Sequence, residues 1–499
     1  MASKIQGWID ECTKHHDRCV GPTINKVFVP KRLINVKGHC RLESAMAPVQ
    51  YAALSYCWGP IVQPSTTKSN ITRRYNGFQY TELPRTLQDA ILMTRMLGLD
   101  YLWIDSICIV QDDKEEWASE AARMAEIYSM AHVVLAATAA NSATEGFLHT
   151  RDRPQKITSI IDPENPITVN ARVVDTHDHD GLGVRLVKQP LSKRGWALQE
   201  RALAHRTVHF LRDEVLFECR SSFSCECGHQ YHCYPSSYTS TAWLPDGKDL
   251  HAHVASLWVE VVEDFTQRSL THAGDALPAL SGMAQRTLPL NPGRYFAGLW
   301  ERDISHQLGW MANSHPCVTG DRKKKSQRRP TFSWATFPGP ISFEFLIESF
   351  CTLQSGSVVP LAGDTYGQVK EAIIQMRGRT MLGRDLVGNV GHLNHTRVLE
   401  TAGGYNLPHV TIQIDGMHPV PLDPHSKEPT EILYKGLETA CDWDTVLCFV
   451  LGKATVDFIS MLILQEVPGE DAFERIGVVR HFPDVTMDEL GPERIVTIV

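Results

Sequence analysis

The feature that most constrains the fold is a run of apolar residues at positions 101–110. The run is apolar on both alternating faces, which is typical of a central parallel strand covered on both sides. Asp105 and Ser106 interrupt it, and an acidic segment follows. Beyond that segment, apolar residues recur at helical spacing from Trp117 to Ala131. A buried strand followed by an amphipathic helix predicts an α/β domain.

Neighbouring segments continue this alternation. Residues 49–56 are a short apolar run closed by Trp58, which indicates a strand and a turn. Residues 84–97 place apolar side chains on one helical face, and Gly98 follows directly. Residues 132–138 are another β-rich run. Strand, helix, strand, helix, strand implies right-handed crossovers and a parallel α/β sheet.

Length and composition predict several domains. A chain of 499 residues is long for one hydrophobic core. We expect an N-terminal helix and lead-in at residues 1–48 and the α/β domain at residues 49–227. A mainly helical region with a basic loop follows at residues 228–330, and a β-rich C-terminal domain at residues 331–499.

Charge and hydropathy limit the partners and the compartment. The net charge of −8 gives no reason to expect nucleic acid, and the basic run at residues 322–329 is typical of a solvated loop. No stretch reaches the ~18 apolar residues that span a bilayer. The closest, residues 446–464, contains two charges and indicates two strands. Thirteen cysteines and no apolar leader favour reduced thiols in the cytosol.

Four residues are predicted to meet at one edge of the sheet. Ligands of open parallel sheets bind beyond the carboxyl ends of the strands. This rule brings together Trp58, Gly59, Asp105 and Ser106. We assign Asp105 as a catalytic residue and the other three as cofactor-binding residues. The alternatives are an Asp105 that only caps the next turn and a Trp58 that fills the core.

An ionised Asp105 next to apolar residues needs a partner, or its pKa rises. Arg194, Glu200 and Arg201 are available as compensating charges, and Gln199 as a hydrogen-bonding side chain. We therefore assign Arg194 and Gln199 to the same cofactor-binding site.

Two glutamates are further catalytic candidates. Glu116 and Glu120 lie one turn apart on the predicted helix. Either could stabilise a ribosyl oxocarbenium ion, as carboxylates do in glycoside cleavage. The alternative is a pair of solvated helix acids, with Glu120 paired to Arg123.

Cysteine and histidine form a second constellation. Cys12, His16 and Cys19 share one face if the N-terminal segment is helical, and Cys219, Cys225 and Cys227 occur far along the chain. Zinc takes four such ligands tetrahedrally. The metal ligands predicted from this pattern are Cys12, His16, Cys19, Cys225 and Cys227. The alternative is a set of reduced, partly buried thiols.

Several catalytic motifs do not occur. The sequence has no GxGxxG after a strand, no GxxxxGK[ST], no HExxH and no GxSxG. This weakens dehydrogenase, P-loop, metalloprotease and serine-hydrolase interpretations.

Three blocks, at residues 51–59, 101–113 and 194–201, resemble the fungal heterokaryon-incompatibility (HET) domain. The three blocks cover roughly residues 50–205, under a third of the chain, and the HET domain is expected at residues 49–227. It implies a fungal cytosolic factor in nonself recognition, whose activation leads to growth arrest or programmed cell death. HET domains are considered distant relatives of TIR domains, some of which cleave NAD at the nicotinamide–ribose bond. The resemblance thus implies a TIR-like fold and places Glu120 near a TIR catalytic glutamate.

Two functions remain open at this point. The favoured one is a signalling module that acts through self-association or a protein partner. The alternative is an NAD glycohydrolase-like enzyme, with NAD as substrate and no certain cofactor. A structural zinc is expected only if the cysteine clusters meet.

Overall fold

The computed structural model describes residues 1–19, 28–60, 64–150, 155–159, 167–171, 186–228, 230–231, 250–313, 330–361, 363–385, 411–414, 443–455, 458–483 and 490–499. The chain divides into two compact units. The first consists of Met1–Lys248 with Arg268–Leu270 and Ser281–Met283, and the second of Asp249–Gln267, Thr271–Leu280 and Ala284–Val499. The finer division expected from the sequence stays a prediction.

The first unit alternates helices and strands. Its described helices are α1 (Ala2–His15), α2 (Ile71–Asn76), α3 (Arg85–Met96), α4 (Asp105–Cys108), α5 (Lys114–Met130) and α6 (Trp196–Leu203). Its described strands are β1 (Leu33–Asn35), β2 (Arg41–Glu43), β3 (Tyr51–Ser55), β4 (Tyr101–Trp103), β5 (Val133–Ala136), β6 (Gln155–Ser159), β7 (Ile167–Ala171), β8 (Arg206–Phe210), β9 (Val215–Cys219), β10 (Phe223–Cys225) and β11 (Gln230–Tyr231).

Nine of these strands form one mixed sheet. Its order is β11-β10-β9-β8-β5-β3-β4-β1-β2, and β6 pairs with β7 separately. The pairs β3–β4, β3–β5 and β5–β8 are parallel, and the outer strands are antiparallel. The predicted α/β class with a parallel centre is therefore confirmed.

The predicted strand at residues 101–110 is wrong in its length. The strand β4 ends at Trp103, and the next residues turn into the short helix α4, which begins at Asp105. The Asp105 carboxylate accepts a hydrogen bond from the Ser106 amide at 2.6 Å. Such local hydrogen bonds compete with the hydrogen bonds between strands. The apolar run therefore remains buried although it leaves the extended conformation after β4.

Other predicted elements agree with the structure. The helix α3 follows Pro84, and Gly98 behind it has a φ of +70°. A left-handed residue just past a helix is a common way for the helix to end. The β3 strand is buried along its whole length, as a central strand must be.

The C-terminal part of the chain has helices α7 (Leu250–Thr266), α8 (Ser281–Thr287) and α9 (Ile304–Leu308). Its described strands are β12 (Tyr295–Phe296), β13 (Leu299–Trp300), β14 (Met311–Ala312), β15 (Ile341–Ser342), β16 (Glu348–Ser349), β17 (Thr352–Pro360), β18 (Val369–Leu382), β19 (Thr411–Ile414), β20 (Val446–Thr455), β21 (Phe458–Glu466), β22 (Phe473–Pro483) and β23 (Glu493–Ile498). The expected mainly helical middle is not confirmed, because short strands accompany its helices.

Eight of these strands form the larger sheet of the second unit. Its order is β16-β20-β21-β22-β23-β18-β17, with β19 on β22. Because β18 also pairs with β20, the strands from β20 to β18 close into a ring. The two strands predicted at residues 446–464 are confirmed as β20 and β21. Among the described residues, none of the helices is long and apolar enough to cross a bilayer.

Candidate functional site

The candidate site lies where the parallel strands end. The chain passes from β3 to β4 through α3, then returns through α5 to β5 on the other side of β3. The strand order therefore reverses at β3, and ligands of open α/β sheets bind at the carboxyl side of such a reversal. The side chains directly after β3 and β4 are thus the first to consider.

Asp105 is the centre of this edge. Its carboxylate accepts hydrogen bonds from Trp58 Nε1 at 2.8 Å and from the Ser106 amide at 2.6 Å. The hydroxyl of Tyr56 donates to Ser106 Oγ at 2.9 Å. The structure thus brings together the predicted residues Trp58, Asp105 and Ser106, and Asp105 and Trp58 both remain half-buried rather than sealed in the core.

Arg194 interacts electrostatically with both Asp105 and Glu200, and these three residues are the charged cluster. Desolvation opposes its charge, but Glu200 and Asp105 outweigh that effect and raise the pKa of Arg194. Burial raises the pKa of Asp105, although Arg194 and the Trp58 hydrogen bond act in the opposite direction. The charge of Arg194 therefore opposes the effect of burial on both carboxyl groups.

Glu200 completes the cluster from helix α6. It is 2% exposed, and the hydroxyl of Ser55 at the end of β3 donates to it. Burial raises the pKa of Glu200 to about 7, with Arg194 and Ser55 acting to lower it. A carboxyl group that titrates near neutral pH beside a second acid is suited to general acid–base work.

A second buried network adjoins Ser55 and was not predicted from the sequence. His209 Nε2 lies 2.9 Å from Glu218, and His209 Nδ1 lies 3.1 Å from Thr138 Oγ1. Arg201 donates to both Glu218 oxygens, at 2.7 and 3.1 Å. Burial alone would raise the pKa of Glu218, but Arg201 and His209 hold it at about 2. Ser55, Thr138, Arg201 and His209 also line a small pocket.

Both predicted catalytic glutamates of α5 are held by cations. Glu116 pairs with Arg32 and, at 2.6 Å, with Lys31. Burial opposes ionisation of Glu116, yet its hydrogen bonds lower its pKa. Glu120 pairs with Arg123 at 3.1 Å, as the alternative interpretation expected, but it is buried rather than solvated. Each glutamate therefore has a cationic partner in the structure, and their catalytic assignment stays a prediction.

Gly59 and Gln199 occupy the margins of the site. Gly59 has a φ of +81°, and a Cβ built on it would lie 2.4 Å from Ser142 Cβ. Its close approach to Ser142 is a packing reason for glycine at this position. Gln199 is buried, with its amide oxygen beside Gly282. Neither residue extends the charged cluster.

The predicted metal ligands divide into two groups. The ligand atoms of Cys12, His16 and Cys19 lie within 4.8 Å of one another and of Cys219. Cys225 and Cys227 instead form a disulfide with each other, so the expectation of reduced thiols is wrong for this pair. The assignment of Cys225 and Cys227 to the N-terminal cluster is therefore corrected, and Cys219 takes that place.

Comparisons with known proteins match the part of the chain that holds these residues. Residues 51–200 match the model of the family described as heterokaryon incompatibility protein (HET). Over 97 residues the chain is 35% identical to heterokaryon incompatibility protein 6, OR allele, of Neurospora crassa. That match covers 18% of this chain and 14% of the relative. No solved structure matches the chain. Residues 51–200 are therefore similar to the HET domain, and the charged cluster lies inside this matched segment.

Proposed function

We propose that this chain is a cytosolic effector of fungal nonself recognition, and that it acts through the charged cluster of its HET domain. The observation that carries the proposal lies within the matched residues 51–200: at the end of β3, Trp58 donates to Asp105 and Ser55 donates to Glu200, and both acids interact electrostatically with Arg194. The proposed trigger is the binding of a protein partner or of a second copy of the chain. The proposed outcome is growth arrest or cell death.

The energetics of the cluster favour a working site over a structural one. Buried ion pairs often stabilise a fold no better than apolar residues of similar volume, because desolvation offsets the attraction. Asp105 and Arg194 also keep part of their surface exposed. Perturbed ionisable groups at the ends of parallel strands are the arrangement expected where a ligand or partner is bound.

The test is induced expression of the full chain in a fungal host, with growth rate as readout. We expect arrest with the wild-type chain and loss of arrest with Arg194→Gln at equal protein abundance. Arg73→Gln is the matched control, because Arg73 is 71% exposed and its ion pair with Glu82 lies on the surface. Arrest by Arg194→Gln equal to that of wild type, or no arrest by the wild-type chain, would contradict the proposal.

A second candidate is a TIR-like NAD glycohydrolase. The observation that favours it is the pair of carboxyl groups with an indole beside one of them, since Trp58 donates to Asp105. In such a reaction the nicotinamide–ribose bond breaks and nicotinamide leaves with the bonding electrons. An ionised carboxylate stabilises the oxocarbenium ion, and water adds to the ribose as Glu200 accepts its proton. The crossover of the parallel strands around β3 supports a TIR-like relationship.

Nicotinamide release from NAD, followed by chromatography, tests this candidate. We expect Glu200→Gln and Asp105→Asn each to lower the rate by about 100-fold or more, because each removes a charge at the reacting centre. Glu120→Gln and Glu116→Gln are the matched controls in helix α5. Release lost only in these two α5 variants would move the chemistry away from the charged cluster. If the wild-type chain releases no nicotinamide, the glycohydrolase proposal is wrong and the noncatalytic effector remains.

A further inference from the structure

We infer that Cys12, His16, Cys19 and Cys219 form a structural zinc site. Their ligand atoms all lie within 4.8 Å of one another. A tetrahedral zinc with bonds of about 2.3 Å places its sulfur ligands about 3.8 Å apart, so binding requires only a small contraction. Cys12, Cys19 and Cys219 are each at most 5% exposed, and His16 is half-buried.

The local fold presents these residues from two distant parts of the first unit. Cys12 and His16 are four residues apart at the end of α1, and a 3-10 turn at Asp17–Cys19 brings Cys19 back. The amide of Cys19 donates to the His16 carbonyl at 2.9 Å, which fixes this return. Cys219 is the last residue of β9. A bound metal would therefore link the N-terminal helix to the central sheet.

Hydrogen-bond donors point at two of the three sulfurs. The amides of Ser221 and Ser222 point at Cys219 Sγ, at 3.5 and 3.2 Å. Arg206 Nε donates to Cys12 Sγ at 3.2 Å. Such outer-shell donors orient and stabilise metal-bound sulfur. Three thiolates around Zn²⁺ leave one net negative charge, which the buried Arg206 offsets.

The ligand set identifies the metal and its role. Three sulfurs and one imidazole nitrogen suit zinc, whereas magnesium and calcium prefer oxygen ligands. His16 Nδ1 lies 3.4 Å from Cys219 Sγ, so this nitrogen faces the cluster. Four protein ligands leave no open position for substrate, which is the pattern of a structural site.

Elemental analysis of the full chain, produced with zinc supplied, tests the inference. We expect about one zinc per chain in the wild-type protein. Cys219→Ser should lower the zinc content at least about tenfold and lower Tm, because one of four ligands is lost. Cys40→Ser is the matched control: Cys40 is a 1% exposed thiol of the same unit, and it contacts Arg95 instead of the cluster. Its zinc content should equal that of wild type.

Two further measurements keep the inference testable if Cys219→Ser does not fold. Cys219→His preserves a metal ligand and should retain zinc. Cobalt(II) added to the metal-depleted wild-type chain should give thiolate charge-transfer bands and the strong visible bands of a tetrahedral site. Folded wild-type protein without zinc, zinc retained by folded Cys219→Ser, or iron in place of zinc would each overturn the inference.

Discussion

At the scale of single residues, Glu200 shows how burial and pairing compete. Removing its carboxylate from water favours the protonated form, and Arg194 and Ser55 only partly reverse this. The folded-state pKa of about 7 lies above the ordinary value of 4.5. Between these two values the folded chain holds a proton that the unfolded chain has lost. Glu200 therefore reduces stability progressively as pH rises through this window.

The first prediction concerns Glu200→Gln, which removes this titration. Relative to wild type, the variant should gain stability as pH rises from 4.5 to about 7, by up to about 3 kcal/mol. The measurement is the free energy of unfolding, or Tm, across this pH range for both proteins.

Glu116→Gln is the control with the opposite sign. The pKa of Glu116 is lowered in the folded chain, so its contribution is present above the ordinary value and is lost as pH falls. Relative to wild type, Glu116→Gln should therefore lose stability as pH rises. If the stability gained by Glu200→Gln relative to wild type is constant or decreases as pH rises, burial does not raise the pKa of Glu200 as we infer.

Part of the site could be predicted residue by residue. Asp105 and Ser106 interrupt an apolar run, and Trp58 closes another, so their place at the strand ends followed from the sequence. The role of Glu200 did not, because a helical glutamate gives no sign of how deeply it is buried. His209 and Glu218 lie on neighbouring antiparallel strands, and a local pattern does not give their register.

At the scale of elements, tight turns fix the site more than long strands do. The strand β4 is only three residues long, and the Asp105 carboxylate is positioned by the first turn of α4. The loop after β3 carries Trp58 to Asp105, and Gly59 then turns with a positive φ against Ser142. The order of these elements could be predicted from the sequence. The turns could not, because short capped turns of this kind do not alter the hydrophobic periodicity.

The second prediction compares two glycines with positive φ. Gly59→Ala should cost about 1–2 kcal/mol for the left-handed backbone and a further 1–3 kcal/mol for the contact with Ser142. Gly98→Ala should cost only about the backbone strain, since nothing lies within 4 Å of the Cβ position there. Thermal unfolding of both variants measures the difference. Equal losses would show that the loop after β3 moves freely away from Ser142.

At the scale of the whole molecule, the types of sheet and strand could be predicted from the sequence. Which residues far apart in the chain contact each other could not. The parallel centre of the first sheet and the strands β20 and β21 of the second were predicted correctly. Cys219 is 200 residues and more from Cys12 and His16, and the sequence offered Cys225 and Cys227 equally well. The pairing of β9 and β10 decides which cysteine joins Cys12, His16 and Cys19. The strand β9 ends at Cys219, beside the cluster, and the antiparallel strand β10 then leads back along β9, which pairs Cys225 with Leu216.

The most direct test of the central claim compares Asp105→Asn with Asp113→Asn in the induced growth assay. Both changes remove one negative charge and keep the side-chain shape, and asparagine caps a helix about as well as the Asp113 that precedes α5. We predict that Asp105→Asn abolishes growth arrest at unchanged protein abundance, whereas Asp113→Asn arrests growth like wild type. Full arrest by Asp105→Asn would contradict the claim that the HET domain acts through its charged cluster.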